Sequence, residues 1–354
     1  MTTVLSTIFV LGILIFVHEL GHFLVAKWVG IRVDRFSLGF PPKLISFKRG
    51  DTEYCISVIP LGGYVKMAGE NPDETEITGA PYEFMSKTPA QRSAVIMAGP
   101  MMNYITAIVI YAIIFMVHGY PTFDVDRMVI GSVVEDSPAE GAGLAADDVI
   151  LSIDGEAVTD FAAMAGIVSS KPAEEITLVY QRDSKIDTAS LVTSVDTAMN
   201  MQGEKVVIGK IGVYHKVWYE KLGFFASFKL GIERTWEISV LLVDVLWKLV
   251  TVQISPKAIG GPLFIAQFSG EMARAGVVAL FGFIAMLSVN LAIVNILPIP
   301  VLDGGHMVFL GVEIVRRKPL TLKQRAAVQQ VGLAFLLMII VMVTYNDIAR
   351  IFMR

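Results

Sequence analysis

The sequence is poor in cysteine and in charged residues. Its 354 residues contain a single cysteine, Cys55, and only 18% of them are Asp, Glu, Lys or Arg. One cysteine excludes an internal disulfide and a metal site built on cysteine ligands. The formal net charge of −4 gives no sign of a nucleic-acid partner. With 54% hydrophobic residues and a mean hydropathy of +0.61, the composition instead predicts a membrane protein.

Four apolar segments have the length of about 20 residues that a bilayer span requires. They are Val4–Trp28, Ser93–His118, Val277–Leu297 and Ala327–Tyr345. The first segment lacks the basic leader and clear cleavage site of a signal peptide, so we expect it to be retained. The predicted fold class is therefore a multi-pass α-helical membrane protein with four transmembrane helices.

A fifth hydrophobic segment, Phe224–Val250, carries its charges on one side of a helix. The charged positions lie within roughly 100° of arc. They are Lys229, Glu233, Glu237, Asp244 and Lys248. Lipid would not tolerate this stripe, whereas a helix at the membrane surface exposes it to water. We therefore expect residues 217–275 to form an amphipathic interfacial helix with a linker.

The distribution of basic residues predicts the orientation in the membrane. Lys and Arg are concentrated between the first two spans, and again between the last two, where Arg316, Arg317 and Lys318 follow one another. In residues 119–275, acidic residues outnumber basic ones. The positive-inside rule places both basic loops in the cytoplasm and the middle segment outside.

The pattern His18-Glu19-Leu20-Gly21-His22 lies inside the first span. On a helix, His18 and His22 project from one face and can bind one cation. Glu19 beside them can act as general base on a metal-bound water, as in the H-E-x-x-H zinc proteases. An ionisable group near the middle of a bilayer costs about 3 kcal/mol or more, so this cluster needs a compensating partner. We expect that partner to be Zn²⁺.

A second polar pattern, NxxPxPxLDGG, runs from Asn295 to Gly305 at the end of the third span. Its prolines break the helix, and irregular backbone at membrane depth is tolerated only where it packs in protein or lines a cavity. Asp303 therefore points inward, on the side of the membrane where His18 and His22 need a third ligand. Considered alone, the segment could also be a helix-ending turn of purely structural meaning.

These motifs resemble those of the site-2 protease family of intramembrane zinc metalloproteases. The resemblance extends to Leu61–Met67 before the second span and to Ala98-Gly-Pro100 with Asn103 inside it. It implies that the two histidines and Asp303 are metal ligands and that Glu19 is the catalytic base. Asn295 and Asn103 are the candidate substrate-binding residues, the first by resemblance and the second as a polar amide that faces the protein interior.

The family also implies a function and a location. Its members cleave single-span membrane proteins within or near the membrane, typically after another protease has trimmed them outside. Anti-sigma factors of the stress response and remnant signal peptides are the known substrate classes. We therefore expect a bacterial inner-membrane enzyme, in contact with the lipid bilayer and a single-span substrate, whose active site is toward the cytoplasm.

Residues 119–216 resemble a single bacterial PDZ domain. The similarity is carried by Met128–Val134, Ser137–Leu144 and Asp148–Gly155, a strand, a short helix and a second strand. Such domains bind an extended peptide at a sheet edge beside a helix, here about Phe161–Ser170. We expect an inserted, extracytoplasmic α+β domain that binds a peptide ligand or a substrate segment.

Alternating residues from Phe36 to Met67, around the turn at Lys48–Asp51, predict a β-hairpin. By resemblance, a β-loop here enters the membrane and pairs with the substrate; a cytoplasmic surface hairpin is the alternative. Pairing has a physical basis, because a helical substrate must unwind before its peptide bonds are accessible, and a strand edge satisfies the freed groups.

The resulting division is residues 1–118 with the first two spans and the hairpin, 119–216, 217–275, and 276–354 with the last two spans. His306 is a minor candidate for a group near the metal or substrate. A zinc transporter would need polar ligands along a path, and spans two and four lack acidic residues and internal histidines. A catalytically silent PDZ adaptor is the other alternative, but it would not require Glu19.

Overall fold

The computed structural model describes residues 2–70, 78–122, 124, 127–199, 205–255, 260–318 and 320–352. The α-helices of this part are α1 (Thr2–Trp28), α2 (Pro89–His118), α3 (Pro138–Gly141), α4 (Phe161–Ser169), α5 (Phe224–Val250), α6 (Pro262–Ala275), α7 (Val277–Ile296), α8 (Asp303–Arg316) and α9 (Leu322–Phe352). A 3-10 turn covers Phe84–Ser86.

The strands are β1 (Val33–Arg49), β2 (Thr52–Met67), β3 (Tyr120–Thr122), β4 (Met128–Val133), β5 (Val149–Ile153), β6 (Glu156–Ala157), β7 (Glu175–Arg182), β8 (Lys185–Val192), β9 (Ser194–Met199), β10 (Lys205–Lys210), β11 (Val213–His215) and β12 (Trp218–Glu220). The chain forms two compact units. The helical unit contains Met1–Phe115, Gly223–Trp247 and Ile259–Arg354, and the sheet unit contains Met116–Leu222 and the short stretch from Lys248.

By length and composition, four of the described helices can cross a membrane. They are Thr2–Trp28, Pro89–His118, Val277–Ile296 and Lys323–Arg350, which coincide with the four predicted apolar segments. The second and fourth helices begin several residues earlier than predicted. Each starts with a capping box, formed by Thr88 and Gln91 at α2 and by Thr321 and Gln324 at α9. In each pair, the side-chain oxygen of one residue accepts a hydrogen bond from the backbone N–H of the other.

The interior of the helical unit is formed where α1 crosses α7. Val10 and Leu14 pack there against Phe283, Ile284 and Leu287. Helix α6 lies against α1 so closely that a Cβ on Gly270 would come 2.4 Å from a Thr3 oxygen. The N-terminus of α6 is capped from α9, because the buried Asp347 carboxylate accepts hydrogen bonds of 3.0 Å from the backbone N–H groups of Gly261 and Phe264.

Strands β1 and β2 pair in two registers. Phe36 of β1 lies opposite both Val65 and Tyr54 of β2, so the ribbon folds back into a four-segment sheet whose edges are Gly63–Met67 and Lys43–Arg49. The part of the sheet that contains Val33, Phe36, Val65 and Met67 packs on α1 and α2. At the far edge the chain exposes Leu44, Ile45 and Phe47 by more than 60%. Hydrogen bonds from Lys43 and Arg35 lower the pKa of Glu53 to about 2.

Helix α5 separates its small residues from its charges. The buried face consists of Ser227, Gly231, Thr235 and Ser239. Gly231 lies on α2, where an added Cβ would be 2.8 Å from the carbonyl oxygen of Ile108, and the Ser239 hydroxyl donates to Tyr104. The predicted charged stripe is on the opposite side of the helix. Ile108 and Tyr104 lie ten and fourteen residues before the C-terminal end of α2 at His118. At 1.5 Å per residue this is roughly 15 and 21 Å, so α5 packs along the side of α2 and not only at its end.

The sheet unit is built on the strand order β11-β4-β5-β7-β8, with β6 paired to β5. Two further ribbons, β9 with β10 and β3 with β12, complete it. Helix α3 begins at Ser137 and α4 at Asp160, and each of these side chains accepts a hydrogen bond from the first turn. The core is aliphatic, and the buried Asp148 is paired with Arg182 at 2.7 Å. The strands and helices thus match the predicted segments, with α4 ending one residue early.

Candidate metal centre

Helix α1 holds the two histidines with their Nε2 atoms facing each other, 3.2 Å apart. The Nδ1 atom of His22 lies 2.8 Å from the carbonyl oxygen of Val95 on α2. A carbonyl can only accept, so Nδ1 carries the proton and the lone pair of His22 is on Nε2. The contact therefore fixes the tautomer that can bind a cation.

Two glycines allow α1 and α2 to approach at this point. A Cβ on Gly99 would lie 2.2 Å from Nε2 of His22 and 2.7 Å from Cε1 of His18. A Cβ on Gly21 would lie 2.2 Å from the carbonyl oxygen of Ala98. A larger residue at Gly99 would displace the histidine rings, and one at Gly21 would collide with the backbone of α2. Both glycines belong to motifs described above, but nothing in the sequence indicates that they make room for the histidines.

Asp303 reaches the same point from α8. Helix α7 ends at Ile296, just before Pro298, and the chain turns into α8, whose first residue is Asp303. The two following glycines pack on this turn: a Cβ on Gly304 would be 2.1 Å from the oxygen of Ile296, and one on Gly305 would meet Ile299. The Asp-Gly-Gly sequence therefore places a carboxylate at a closely packed turn.

The three side chains have the spacing of a tetrahedral metal site. Oδ2 of Asp303 lies 3.2 Å from Nε2 of His18 and 3.6 Å from Nε2 of His22. With metal–ligand bonds of about 2.1 Å, a tetrahedral zinc ion separates its ligand atoms by about 3.4 Å. Oδ2 is buried and makes no hydrogen bond to any described residue. Among the described residues, these three form the one cluster of potential metal ligands.

A cavity of about 440 Å³ opens on these side chains. The predicted residues that line it are His18, His22, Glu19, Asn295, Asp303 and His306. The edge segment of the β1–β2 sheet lines it too, and a Cβ on Gly63 would be 2.8 Å from Cγ of Glu19. The sheet edge, the candidate base and the candidate ligands therefore share one space. Gly63 is part of the Leu61–Met67 motif, but its contact with Glu19 on α1 cannot be read from the sequence.

The two predicted substrate-binding asparagines lie in different surroundings. Asn295 lines the cavity. Asn103 is fully buried, and its Nδ2 is 3.3 Å from Nδ1 of His18. Its backbone carbonyl accepts a hydrogen bond from Ser288. The structure thus places Asn103 behind a histidine and not on the cavity wall.

Residues 6–339 match the sequence profile of peptidase family M50. The chain belongs to this family. The protein is an intramembrane metalloprotease of the site-2 type, and this assignment supports the enzyme and not the silent adaptor.

Similar proteins extend over the whole chain. The zinc metalloprotease RasP of Oceanobacillus iheyensis is 32% identical, with 100% of both chains covered. The regulator of sigma-W protease RasP of Bacillus subtilis is also 32% identical, with 99% of each chain covered. A putative zinc metalloprotease of Rhizobium meliloti is 35% identical, covering 99% of this chain and 97% of its own.

Among solved structures, the PDZ domain of an SdrC-like protein from Listeria innocua is 28% identical to a part of this chain. It covers 25% of this chain and 93% of its own length, at a TM-score of 0.21. That score is too low for the likeness to support a conclusion.

Proposed function

We propose that this protein is a zinc-dependent endopeptidase that cleaves single-span membrane proteins. The observation that carries the proposal is the triangle formed by His18, His22 and Asp303, with sides of 3.2, 3.2 and 3.6 Å and Glu19 on the wall of the same cavity. Three protein ligands leave one coordination position for water, which is the arrangement of catalytic zinc sites. The names of the full-length relatives, zinc metalloproteases, agree with this choice of metal.

Different residues of the cavity have different roles in the proposed reaction. Bound zinc supplies a water of lowered pKa and polarises the scissile carbonyl. The Glu19 carboxylate would accept a proton from the attacking water and deliver it to the leaving amine. Asn295, on the same cavity wall, holds the substrate backbone.

Asn103 orients His18 in this proposal. When Nε2 of His18 binds the metal, its Nδ1 carries a proton and needs an acceptor. Oδ1 of Asn103 has no hydrogen-bond partner among the described residues. Rotating the amide by 180° exchanges Oδ1 and Nδ2, so that Oδ1 faces Nδ1 of His18. Each histidine then donates from Nδ1 to α2, His22 to the Val95 carbonyl and His18 to this amide.

The substrate would bind as an extended strand along Gly63–Met67. This segment is an edge of the four-segment sheet and lines the cavity beside Glu19. Backbone groups at a sheet edge can pair with those of an unwound substrate. The exposed apolar residues at the opposite edge fit a hairpin associated with the membrane. Anti-sigma factors and remnant signal peptides remain the expected substrate classes; one relative's name mentions regulation of sigma-W.

The sheet unit would act as one PDZ-like peptide-binding domain outside the cytoplasm. Strand β11 is at the end of the strand order and pairs with β4 on one side. Helix α4 begins beside it, with the rings of Phe161 and His215 stacked at 5.7 Å. An extended peptide could add to this sheet by pairing with β11. The active site would lie toward the cytoplasmic side of a bacterial inner membrane.

Zinc content tests the assignment of the ligands. We expect about one zinc per purified chain, lost in His22→Phe and much reduced in Asp303→Asn, because a three-ligand site that loses one ligand no longer retains the ion. Asn295→Ala should retain zinc while weakening cleavage, since this residue contacts substrate and not metal. Undiminished zinc in both ligand variants, measured by elemental analysis, would refute the site.

A further inference from the structure

An ion cluster of Arg92, Glu313 and Arg325 lines the same cavity. Arg92 on α2 donates two hydrogen bonds to Glu313 on α8, from Nη1 at 3.2 Å and from Nη2 at 2.6 Å. Arg325 on α9 lies 3.7 Å from the same carboxylate. The side chains of Arg92 and Glu313 are only 6% and 16% exposed. A buried bidentate pair of this kind fixes both distance and orientation.

Each helix of this pair carries one part of the metal centre. Arg92 precedes Val95 by less than one helical turn, and the Val95 carbonyl is the group that orients His22. Glu313 belongs to α8, whose first residue is Asp303. The pair therefore connects the helix that holds a histidine in place to the helix that supplies the carboxylate.

Arg92 and Glu313 form a direct polar link between α2 and α8. No other side-chain hydrogen bond between described residues links α2 to α8. The close contacts of Gly304 with Ile296, the last residue of α7, and of Gly305 with Ile299 in the turn set where α8 begins. Farther along α8, Leu310 is buried and adds apolar contact, which has little directional preference. The bidentate pair lies about 15 Å from Asp303, ten residues along α8, and its fixed geometry restricts the direction of the helix.

We propose that Arg92 and Glu313 are positioning residues for the metal centre. Their ion pair sets the angle of α8 against α2 and so holds the Asp303 carboxylate at ligand distance from the two histidines. The inference rests on the proposed zinc site. Neither residue is one of the candidate ligands, and outer groups of this kind typically change metal affinity by about 10- to 100-fold when removed.

Arg325 provides a matched control. It is also an arginine beside Glu313, but it belongs to α9, which carries none of the candidate ligands. If the cluster acts only through local charge or general stability, then Arg92→Gln and Arg325→Gln should behave alike. If it positions α8 against α2, only the first should change the metal centre.

The experiment measures zinc release from the full-length protein in detergent after addition of a chelator, and the absorption spectrum of the Co²⁺-substituted form. We expect Arg92→Gln and Glu313→Gln each to release zinc about 10-fold faster or more, with weakened tetrahedral Co²⁺ bands. Arg325→Gln should stay within about 2-fold of wild type. The double variant Arg92→Gln/Glu313→Gln should resemble the single variants, because the interaction is already lost in each.

The double variant also guards against misfolding, since it leaves neither member of the pair charged and buried alone. Size-exclusion profiles and thermal melts identify variants that fold. The inference would be overturned if the folded Arg92→Gln variant or the folded double variant released zinc at the wild-type rate. It would also be overturned if Arg92→Gln and Arg325→Gln accelerated zinc release equally. A wild-type protein that binds no zinc would instead overturn the proposed function on which it rests.

Discussion

At the scale of single residues, the candidate metal centre depends on small side chains as much as on the ligands. The histidines can face Asp303 only because α2 passes them with a glycine, Gly99, at the point of contact. The Val95 carbonyl then determines which nitrogen of His22 is available, and we propose the same role for the Asn103 amide at His18. A site assembled from three helices is therefore sensitive to changes that alter no ligand.

Substituting this glycine provides a direct test. We expect Gly99→Ala to lose zinc and cleavage by about 10-fold or more, because the new Cβ would lie 2.2 Å from Nε2 of His22 and must displace the ring. Gly12→Ala is the matched control, since no heavy atom lies within 4 Å of a Cβ placed there on α1. Zinc content and cleavage of both variants would be compared with wild type. Equal behaviour of the two alanine variants would contradict the close packing described here.

The candidate ligands could be predicted from the sequence, whereas the need for a glycine at position 99 could not, and the difference has a physical reason. His18, His22 and Glu19 are adjacent along one helix, so their spacing alone states their geometry. The requirement for Gly99 comes from a side chain on another helix. Asn103 shows the same limit: its polarity predicted an inward direction correctly, but whether it faces substrate or a histidine depends on packing that no local pattern records.

At the scale of secondary-structure elements, the helical unit is held by contacts between ends that are distant in sequence. The first turn of α6 is capped by Asp347 on α9, and α6 has no side-chain cap of its own at Gly261. Local rules look for the capping residue next to the helix, so they could not find this one. The capping boxes at Thr88 and Thr321 are local and could have been found in the sequence.

Removing the distant cap should loosen α6. We expect Asp347→Ala to lower the free energy of unfolding by about 1–2 kcal/mol, as for other lost caps, because two backbone N–H groups lose their acceptor. Asp347→Asn keeps one acceptor oxygen and should lose less. Thermal or denaturant unfolding in detergent would measure both. A stability of Asp347→Ala equal to that of wild type would show that water or lipid replaces the cap.

At the scale of the whole molecule, composition and charge predicted four apolar helices with a soluble insert, and the structure contains helices that fit this plan. The contact of α5 with α2 was not predicted. The four-residue spacing of Ser227, Gly231, Thr235 and Ser239 is visible in the sequence, but it does not say which helix packs on this face. The proposed orientation rests on the positive-inside rule. It places Lys229 of α5 outside and Arg317, in the loop before α9, in the cytoplasm.

Thiol labelling tests that orientation. In a Cys55→Ser background, we expect Lys229→Cys, at a side chain 77% exposed, to react with a membrane-impermeant reagent after the outer membrane is permeabilised. Arg317→Cys should react only after the inner membrane is opened. Labelling of Arg317→Cys from outside would reverse the proposed topology.

The central claim is that Glu19 acts as the base beside a metal held by His18, His22 and Asp303. Its most direct test is cleavage of a single-span substrate by purified protein in detergent, comparing wild type with Glu19→Gln at equal zinc content. The account predicts that Glu19→Gln retains zinc and substrate binding but loses cleavage by at least about 100-fold, because the ligands remain and the base is gone. Cleavage by Glu19→Gln at the wild-type rate would contradict it.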